Sequence, residues 1–93
     1  MAEFLIFADN HFPPDGDRKE RTQHIRAAER ERAGELRAAG NLKRLWRRPG
    51  TSGWIALWEA ADATELHDQL ASLPMFPYLD ISVEPLATHP QER

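Results

Sequence analysis

The fold of this 93-residue chain is decided at one junction, the stretch LPMFPYLDI at residues 73–81. Pro74 and Pro77 each fix the backbone angle φ and cannot continue a helix. From Tyr78 onward, apolar and polar side chains alternate, which is typical of a half-buried strand. The stretch therefore predicts a rigid elbow that ends one helix and begins the last strand, over residues 78–86.

Three more elements are predicted upstream of the elbow. Residues 63–73 carry leucines at helical spacing and predict a helix capped by Asp62 or Thr64. The run WIALW at 54–58 and the run LKRLWR at 42–47 predict two strands joined by a Pro- and Gly-containing turn. In the second run, alternation places Leu42 with Arg44 and Trp46 on one side of the strand.

The first forty residues predict a strand and a long helix. The apolar run at 3–8 favours a short buried strand. Pro-Pro and Asp-Gly then predict a loop at 11–16, with Asp15 or Asp17 as the helix cap. Residues 18–39 are strong helix formers, and Gly40 is expected just beyond the helix end.

The predicted order β-α-β-β-α-β is the ferredoxin-like arrangement of the α+β class, in which two helices cover one face of a four-stranded antiparallel sheet. Ninety-three residues predict a single domain, 1–93. The opposite face of the sheet is left without a cover. The surplus of aromatic residues in a chain this short predicts that a second copy covers it, as in a dimeric α+β barrel.

Composition excludes several classes of function. The formal net charge of −3 argues against nucleic acid as a partner. No apolar run approaches the roughly 18 residues of a membrane helix, so no membrane partner is expected. The chain begins without a signal-peptide pattern, and we expect a cytoplasmic protein. Cysteine is absent and no two histidines have a metal-ligand spacing, so no metal is expected.

Glu29 and Arg32 are charged residues on the apolar face of the long helix, which Ile25, Ala28 and Leu36 define. Buried charges cost free energy unless they are paired or solvated. One interpretation is a Glu29–Arg32 ion pair three residues apart, or charged ends that reach solvent at the helix edge. The other is a carboxylate that lines a cavity between helix and sheet, where loss of solvent would raise its pKa and suit it to proton transfer.

His11 is the second candidate for catalysis, because it lies in a loop at a strand end, where pockets are often lined. The basic cluster at residues 43–48 brackets Trp46. Three interpretations stay open for it: a nucleic-acid platform, a solvated strand face, or an arginine that binds a small carboxylate. The negative net charge disfavours the first.

Many spaced features match one enzyme family. They are Phe4-Leu5, Pro13-Pro14-Asp15, Glu35-Leu36-Arg37, Leu45-Trp46-Arg47 with Gly50, Glu65-Leu66-His67, Leu73-Pro74, Phe76-Pro77-Tyr78, Asp80-Ile81, Val83, Leu86 and His89-Pro90. On these residues the chain resembles muconolactone isomerase over nearly its whole length. The resemblance implies a ferredoxin-like fold, homo-oligomers built from sheet-to-sheet dimers up to decamers, and no cofactor. It also implies a proton shift within an unsaturated lactone, from muconolactone to the β-ketoadipate enol-lactone.

The resemblance also implies roles for individual residues. Glu29 falls where the family carries a pocket glutamate, and Arg26 where it often has a lysine that can hold a carboxylate. Ser52 and Trp54 stand where the family usually has tyrosine and asparagine, so the pocket is expected to be reshaped around them. Phe76 and Tyr78 are the elbow's candidates for substrate binding.

Ser52 and Trp54 leave a second function open, a divergent enzyme on the same scaffold, such as a cyclase, dehalogenase or cofactor-free oxygenase, that acts on another enolisable or aromatic compound. A third is a non-catalytic binding protein, which a carboxylate on an apolar helix face disfavours.

Overall fold

The computed structural model describes residues 1–11 and 19–93. The elements in chain order are β1 (Ala2–Asn10), α1 (Lys19–Ala38), β2 (Leu42–Arg47), β3 (Trp54–Ala60), α2 (Ala63–Ala71) and β4 (Leu79–Leu86). The predicted Pro-Pro loop and the caps Asp15 and Asp17 lie outside the described residues. In the part of the chain that is described, no helix is long and apolar enough to cross a membrane.

The strands form one antiparallel sheet in the order β2-β3-β1-β4. Residue Ile6 at the centre of β1 lies opposite Ala56 of β3 and Val83 of β4. Each pair of parallel strands is therefore separated by an antiparallel neighbour, which is the split βαβ arrangement of the predicted ferredoxin-like fold. The predicted order β-α-β-β-α-β is confirmed.

The hydrophobic core lies between the two helices and one face of the sheet. Alternate residues of the central strands are buried there, and the core contains Phe4, Ile6, Leu36, Leu42, Ala56, Trp58, Ala60, Leu66, Leu70 and Leu73. The residues between them, such as Leu5, Phe7 and Leu57, point to the other face and are only partly buried. Side chains of alternating direction thus divide the sheet into a covered face and an open face.

The helix ends follow their sequence signals. Gly40 adopts φ of 90°, and the N–H of Asn41 donates to the carbonyl of Leu36, so the chain turns sharply after α1. Asp62, rather than Thr64, caps α2 by accepting a hydrogen bond from the N–H of Glu65 at 2.9 Å.

Strand β2 departs from simple alternation. Leu42 pairs with Trp58 and is buried against the helices, whereas the pairing register shifts between Leu42 and Arg44. This irregularity turns Arg44 and Trp46 to the open face, where the guanidinium of Arg44 lies 5.1 Å from the centre of the Trp46 ring. The prediction that Leu42 shares a face with Arg44 and Trp46 was wrong, because strict alternation does not survive a bulge.

The elbow follows α2 as predicted. Residues Phe76–Tyr78 form a single 3₁₀ turn, and β4 begins directly after it. The side chains that the elbow buries are Leu73 and Met75, which are 4% and 6% exposed, whereas Phe76 is half-buried at the edge of the core. The N–H of His11 donates to the carbonyl of Tyr78 at 2.7 Å and so ties the elbow to the end of β1.

Candidate active site

An open cleft of about 440 Å³ lies between α1 and the covered face of the sheet. Four segments of the described chain line it: the end of β1, the middle of α1, the β2–β3 hairpin and the elbow. The lining residues are Asn10, Arg26, Glu29, Arg30, Ala33, Leu42, Leu45, Trp46, Arg47, Ser52, Gly53, Trp54, Trp58, Leu73 and Met75. Most of this surface is apolar, with a few polar groups between, as in small-molecule sites.

Glu29 is the acidic residue that lines the cleft within the described ranges. Its Oε1 accepts a hydrogen bond from the backbone N–H of Met75 at 3.2 Å. Burial removes water from the carboxylate and raises the pKa of Glu29 above 4.5, while the Met75 N–H opposes that rise in part. A carboxylate that is held by one donor and destabilised by burial is a stronger base than an exposed one.

Arg32 does not pair with Glu29. Its Nε donates to the hydroxyl of Ser72 at 2.9 Å, and its Nη1 lies 3.2 Å from Oε1 of Glu35. These contacts fasten α1 to the end of α2. The interpretation of Glu29 as the ion-pair partner of Arg32 was therefore wrong, and Glu29 keeps its place on the cleft wall.

Among the described residues, three arginines line the cleft: Arg26 and Arg30 from α1, and Arg47 from the end of β2. All three are largely exposed. Within this described lining, positive charge exceeds the one carboxylate of Glu29, although the whole chain is negative. Guanidinium groups at the edge of an apolar cleft suit a small ligand that carries a carboxylate.

The β2–β3 hairpin is fastened to the end of β1. Nη1 of Arg48 lies 2.9 Å from both oxygens of Asp9, and Nδ2 of Asn10 donates to the carbonyl of Ser52 at 2.6 Å. Gly53 is buried directly against β1. These contacts fix the position of the residues that the hairpin contributes to the cleft.

The floor of the cleft contains the indole of Trp58, which is almost fully buried. Its N–H donates to Oε1 of Gln69 at 2.7 Å, and Nε2 of Gln69 donates to Oε1 of Glu65 at 3.0 Å. The polar edge of this ring is thereby directed into α2. The floor offers the cleft an apolar surface.

Four of the predicted site residues are brought together: Glu29, Arg26, Ser52 and Trp54 all line the cleft. The other three lie elsewhere. His11 pairs with Asp80 on the surface.

Phe76 packs edge-on against His67, with ring centres 6.1 Å apart. Neither Phe76 nor Tyr78 is among the lining residues that the described ranges supply.

Sequence reasoning missed several residues of the cleft. Arg47 was only part of the basic cluster at residues 43–48, and Asn10 was not singled out. The backbone N–H of Met75 left no signal, since every residue except proline has one. Leu42 and Leu45 line the cleft together only because β2 contains a bulge, and the sequence did not predict that bulge.

Comparison with known proteins agrees with this geometry. The sequence profile of the muconolactone delta-isomerase family matches residues 2–92. The chain belongs to the muconolactone delta-isomerase family. A muconolactone delta-isomerase of Rhodococcus opacus is 37% identical over 89 residues, covering 96% of this chain and 95% of the relative. A second, from Pseudomonas aeruginosa, is 36% identical over 78 residues, covering 84% of this chain and 80% of the relative.

A solved structure supports the same assignment. A crystal structure of muconolactone isomerase is similar with a TM-score of 0.87 at 33% identity, covering 95% of this chain and 91% of that one. The family resemblance inferred from the spaced motifs is confirmed. The α+β fold with its four-stranded sheet and two helices is confirmed as well.

Proposed function

We propose that this chain is a cofactor-independent isomerase that shifts a proton within an unsaturated lactone, of the kind that converts muconolactone to the β-ketoadipate enol-lactone, with Glu29 as its base. The observation that carries the proposal is the position of Glu29: a partly buried carboxylate of raised pKa, aimed into an apolar cleft and flanked by arginines. Membership of the muconolactone delta-isomerase family supplies the reaction.

The chemistry requires one group that both takes and returns a proton. The Glu29 carboxylate removes the ring proton on the carbon that bears the acetate arm. That proton is acidic because the double bond conjugates the carbon with the lactone carbonyl. The C–H electron pair moves into the ring and gives a dienolate with its charge on the carbonyl oxygen. Protonated Glu29 then returns the proton to the carbon beside the carbonyl, and the double bond has moved by one position.

The arginines hold the substrate in this scheme. The acetate arm of the lactone is a carboxylate, and Arg26, Arg30 or Arg47 can bind it through charge-assisted hydrogen bonds at the cleft edge. The apolar floor at Trp58 then faces the ring. In this scheme the arm lies near the cations and the ring lies near Glu29. His11 pairs with Asp80 outside the cleft, and this position does not support a role for His11 as the base.

Replacing Glu29 by Gln tests this proposal. The amide keeps the side-chain shape and an oxygen that can accept from Met75, but it removes the base. We expect kcat for muconolactone to fall by roughly 10²-fold or more, with KM changed much less. Glu31→Gln is the matched control, since Glu31 is exposed on the same helix. A kcat in Glu29→Gln equal to that in Glu31→Gln would refute the role of Glu29.

A second substrate is favoured by Ser52 and Trp54, which line the cleft where related enzymes were expected to carry other side chains. A reshaped wall changes which ring substituents fit. Assays with muconolactone and with ring-substituted lactones bearing the same acetate arm would decide this. A kcat/KM for a substituted lactone well above that for muconolactone would support the divergent substrate.

We also infer that a second copy of the chain covers the open face of the sheet. Apolar side chains lie there on all four strands, among them Leu5, Trp46, Leu57 and Leu86, and Trp46 is 41% exposed. Exposed apolar side chains gathered on one sheet face are typical of an interface. Analytical ultracentrifugation at micromolar concentration tests the inference, and a monomer of 10.7 kDa would contradict it. The cytoplasmic location stays a prediction.

A further inference from the structure

We propose that the indole N–H of Trp54 is the neutral hydrogen-bond donor that stabilises the charge formed on the lactone carbonyl oxygen, which makes Trp54 a catalytic residue. This inference rests on the proposed isomerase function and extends it to the other half of the reaction. Removing a ring proton leaves negative charge on oxygen, and that charge needs a donor that is already in place. The base alone does not supply one.

The other neutral N–H donors that the described residues bring to the cleft are already engaged, apart from the indole of Trp46, whose strand register turns it to the open face. The indole of Trp58 donates to Gln69, and the side-chain amide of Asn10 donates to the carbonyl of Ser52. The backbone N–H of Met75 is held by Glu29. The N–H groups of Trp58 and Met75 cannot turn to a ligand without breaking a bond of the folded protein, and the second N–H of Asn10 belongs to an amide that its bond to Ser52 holds in place.

Trp54 differs from them. Its indole N–H has no hydrogen-bond partner in the described part of the chain. The nitrogen is also not fully buried, so a ligand can reach it. The residue lines the cleft on the covered face of the sheet. An accessible donor without a protein partner, set beside an apolar floor, is available to a ligand.

The backbone around Trp54 is held firmly. Trp54 pairs with Ala8 on one side and with Arg47 on the other, at the start of β3. The preceding residue, Gly53, is buried against β1, and the N–H of Gly53 donates to the hydroxyl of Thr51 at 3.0 Å. A donor on such a strand need not reorganise when charge develops, which is the condition for effective electrostatic stabilisation.

The nature of the donor also suits the chemistry. An indole N–H donates without ever giving up its proton, so it cannot compete with Glu29 for the ring proton. It also carries no charge, so it does not lower the pKa of Glu29. A positively charged donor at the same place would do so. The cleft thus separates two tasks: the arginines bind the anionic arm, and Trp54 meets the charge that appears during the reaction.

Trp54→Phe tests the proposal by kinetics, because it keeps an aromatic ring and removes the N–H together with the five-membered part of the indole. We expect kcat to fall by about 10²-fold, as for the loss of one donor to an oxyanion, with KM changed by less than about threefold. Ser52→Ala is the competing arm, because Ser52 also lines the cleft and carries a hydroxyl. A kcat in Trp54→Phe within twofold of the original protein, or a larger loss in Ser52→Ala, would overturn the assignment.

A binding experiment separates this inference from the proposed reaction. The probe is 5-carboxymethyl tetronate, a stable enolate of a five-membered lactone that bears the same acetate arm. We expect it to shift the ¹⁵N–¹H signal of the Trp54 indole downfield and to leave that of Trp58, already bonded to Gln69, in place. Its affinity should weaken about tenfold or more in Trp54→Phe, the usual effect of losing a hydrogen bond to a charged group.

The outcomes are distinguishable. If muconolactone is not isomerised but the tetronate shifts the Trp54 signal, the proposed reaction fails and the donor assignment stands. If the lactone is isomerised and neither kcat nor tetronate affinity depends on Trp54, the donor assignment fails alone. The signal shift is measured on the original protein, so it decides the question even if Trp54→Phe does not fold.

Discussion

Replacing Gly53 by Ala should damage both the fold and the cleft. A Cβ at this position would lie 2.5 Å from Oδ1 of Asp9, closer still to the carbonyl oxygen of Ala8, and 3.3 Å from Cδ of Arg48. Ordinary contacts begin near 3.4 Å, so the hairpin must move by roughly 1 Å. Ala8 is buried and paired on both sides, which leaves the hairpin as the part that moves.

The expected magnitude has two parts. Forcing a methyl group into a packed site costs about 1–3 kcal/mol of unfolding free energy. In a domain of this size that corresponds to a melting temperature lower by roughly 4–24 °C. A displacement of about 1 Å between Trp54 and Glu29 should also lower kcat by up to roughly 10²-fold, since small misplacements of reacting groups are costly.

The matched control is Gly34→Ala. Gly34 lies in the interior of α1, and a Cβ there would meet nothing within 4 Å. This substitution should raise stability by about 0.5–1 kcal/mol, because alanine loses less backbone entropy than glycine in a helix. Differential scanning calorimetry and lactone turnover on both variants test the reasoning. Equal melting temperatures, or full activity in Gly53→Ala, would refute the claim that this contact sets the cleft geometry.

Three further predictions follow from single contacts. On the acid side, kcat/KM should rise with pH with an apparent pKa above 4.5, because Glu29 must be ionised to act and burial raises its pKa; an apparent pKa at or below 4.5 would count against it as the base. The same burial stabilises the protonated form, so the contribution of Glu29 to stability is full below pH about 4.5 and is lost as pH rises through its folded pKa; Glu29→Gln should therefore melt higher than the original protein at pH 7. Gln69→Leu should cost about 1–3 kcal/mol in chemical denaturation by leaving the buried Trp58 N–H unpaired, and an unchanged midpoint would show that the bond contributes nothing.

The fold could be predicted from the sequence because its signals are local. Pro74 and Pro77 mark the elbow, Gly40 marks the end of α1, and alternation marks the strands. Each of these depends on neighbours a few residues apart. The bulge after Leu42 could not be predicted, since it arises from the pairing of two strands rather than from either one alone.

The candidate site was predictable where a charged residue lies on an otherwise apolar face. A glutamate on an apolar helix face attracts attention, and Glu29 does line the cleft. Whether Glu29 pairs with Arg32 or lines the cavity depended on where α2 ends, because Ser72 at that end accepts a hydrogen bond from Arg32. The position of His11 in a loop gave no information about its direction, and its pairing with Asp80 comes from the distant strand β4.

The hydrogen bond from Met75 to Glu29 has a consequence for how this site tolerates change. The donor is a peptide group, so every amino acid at position 75 except proline would still supply it. Alanine scanning across the cleft therefore cannot detect one of the contacts that orient Glu29. Substitutions of the Met75 side chain would alter packing, while the hydrogen bond from its backbone N–H to Glu29 would remain. The contact that orients Glu29 thus depends on the path of the main chain, which two nearby prolines constrain.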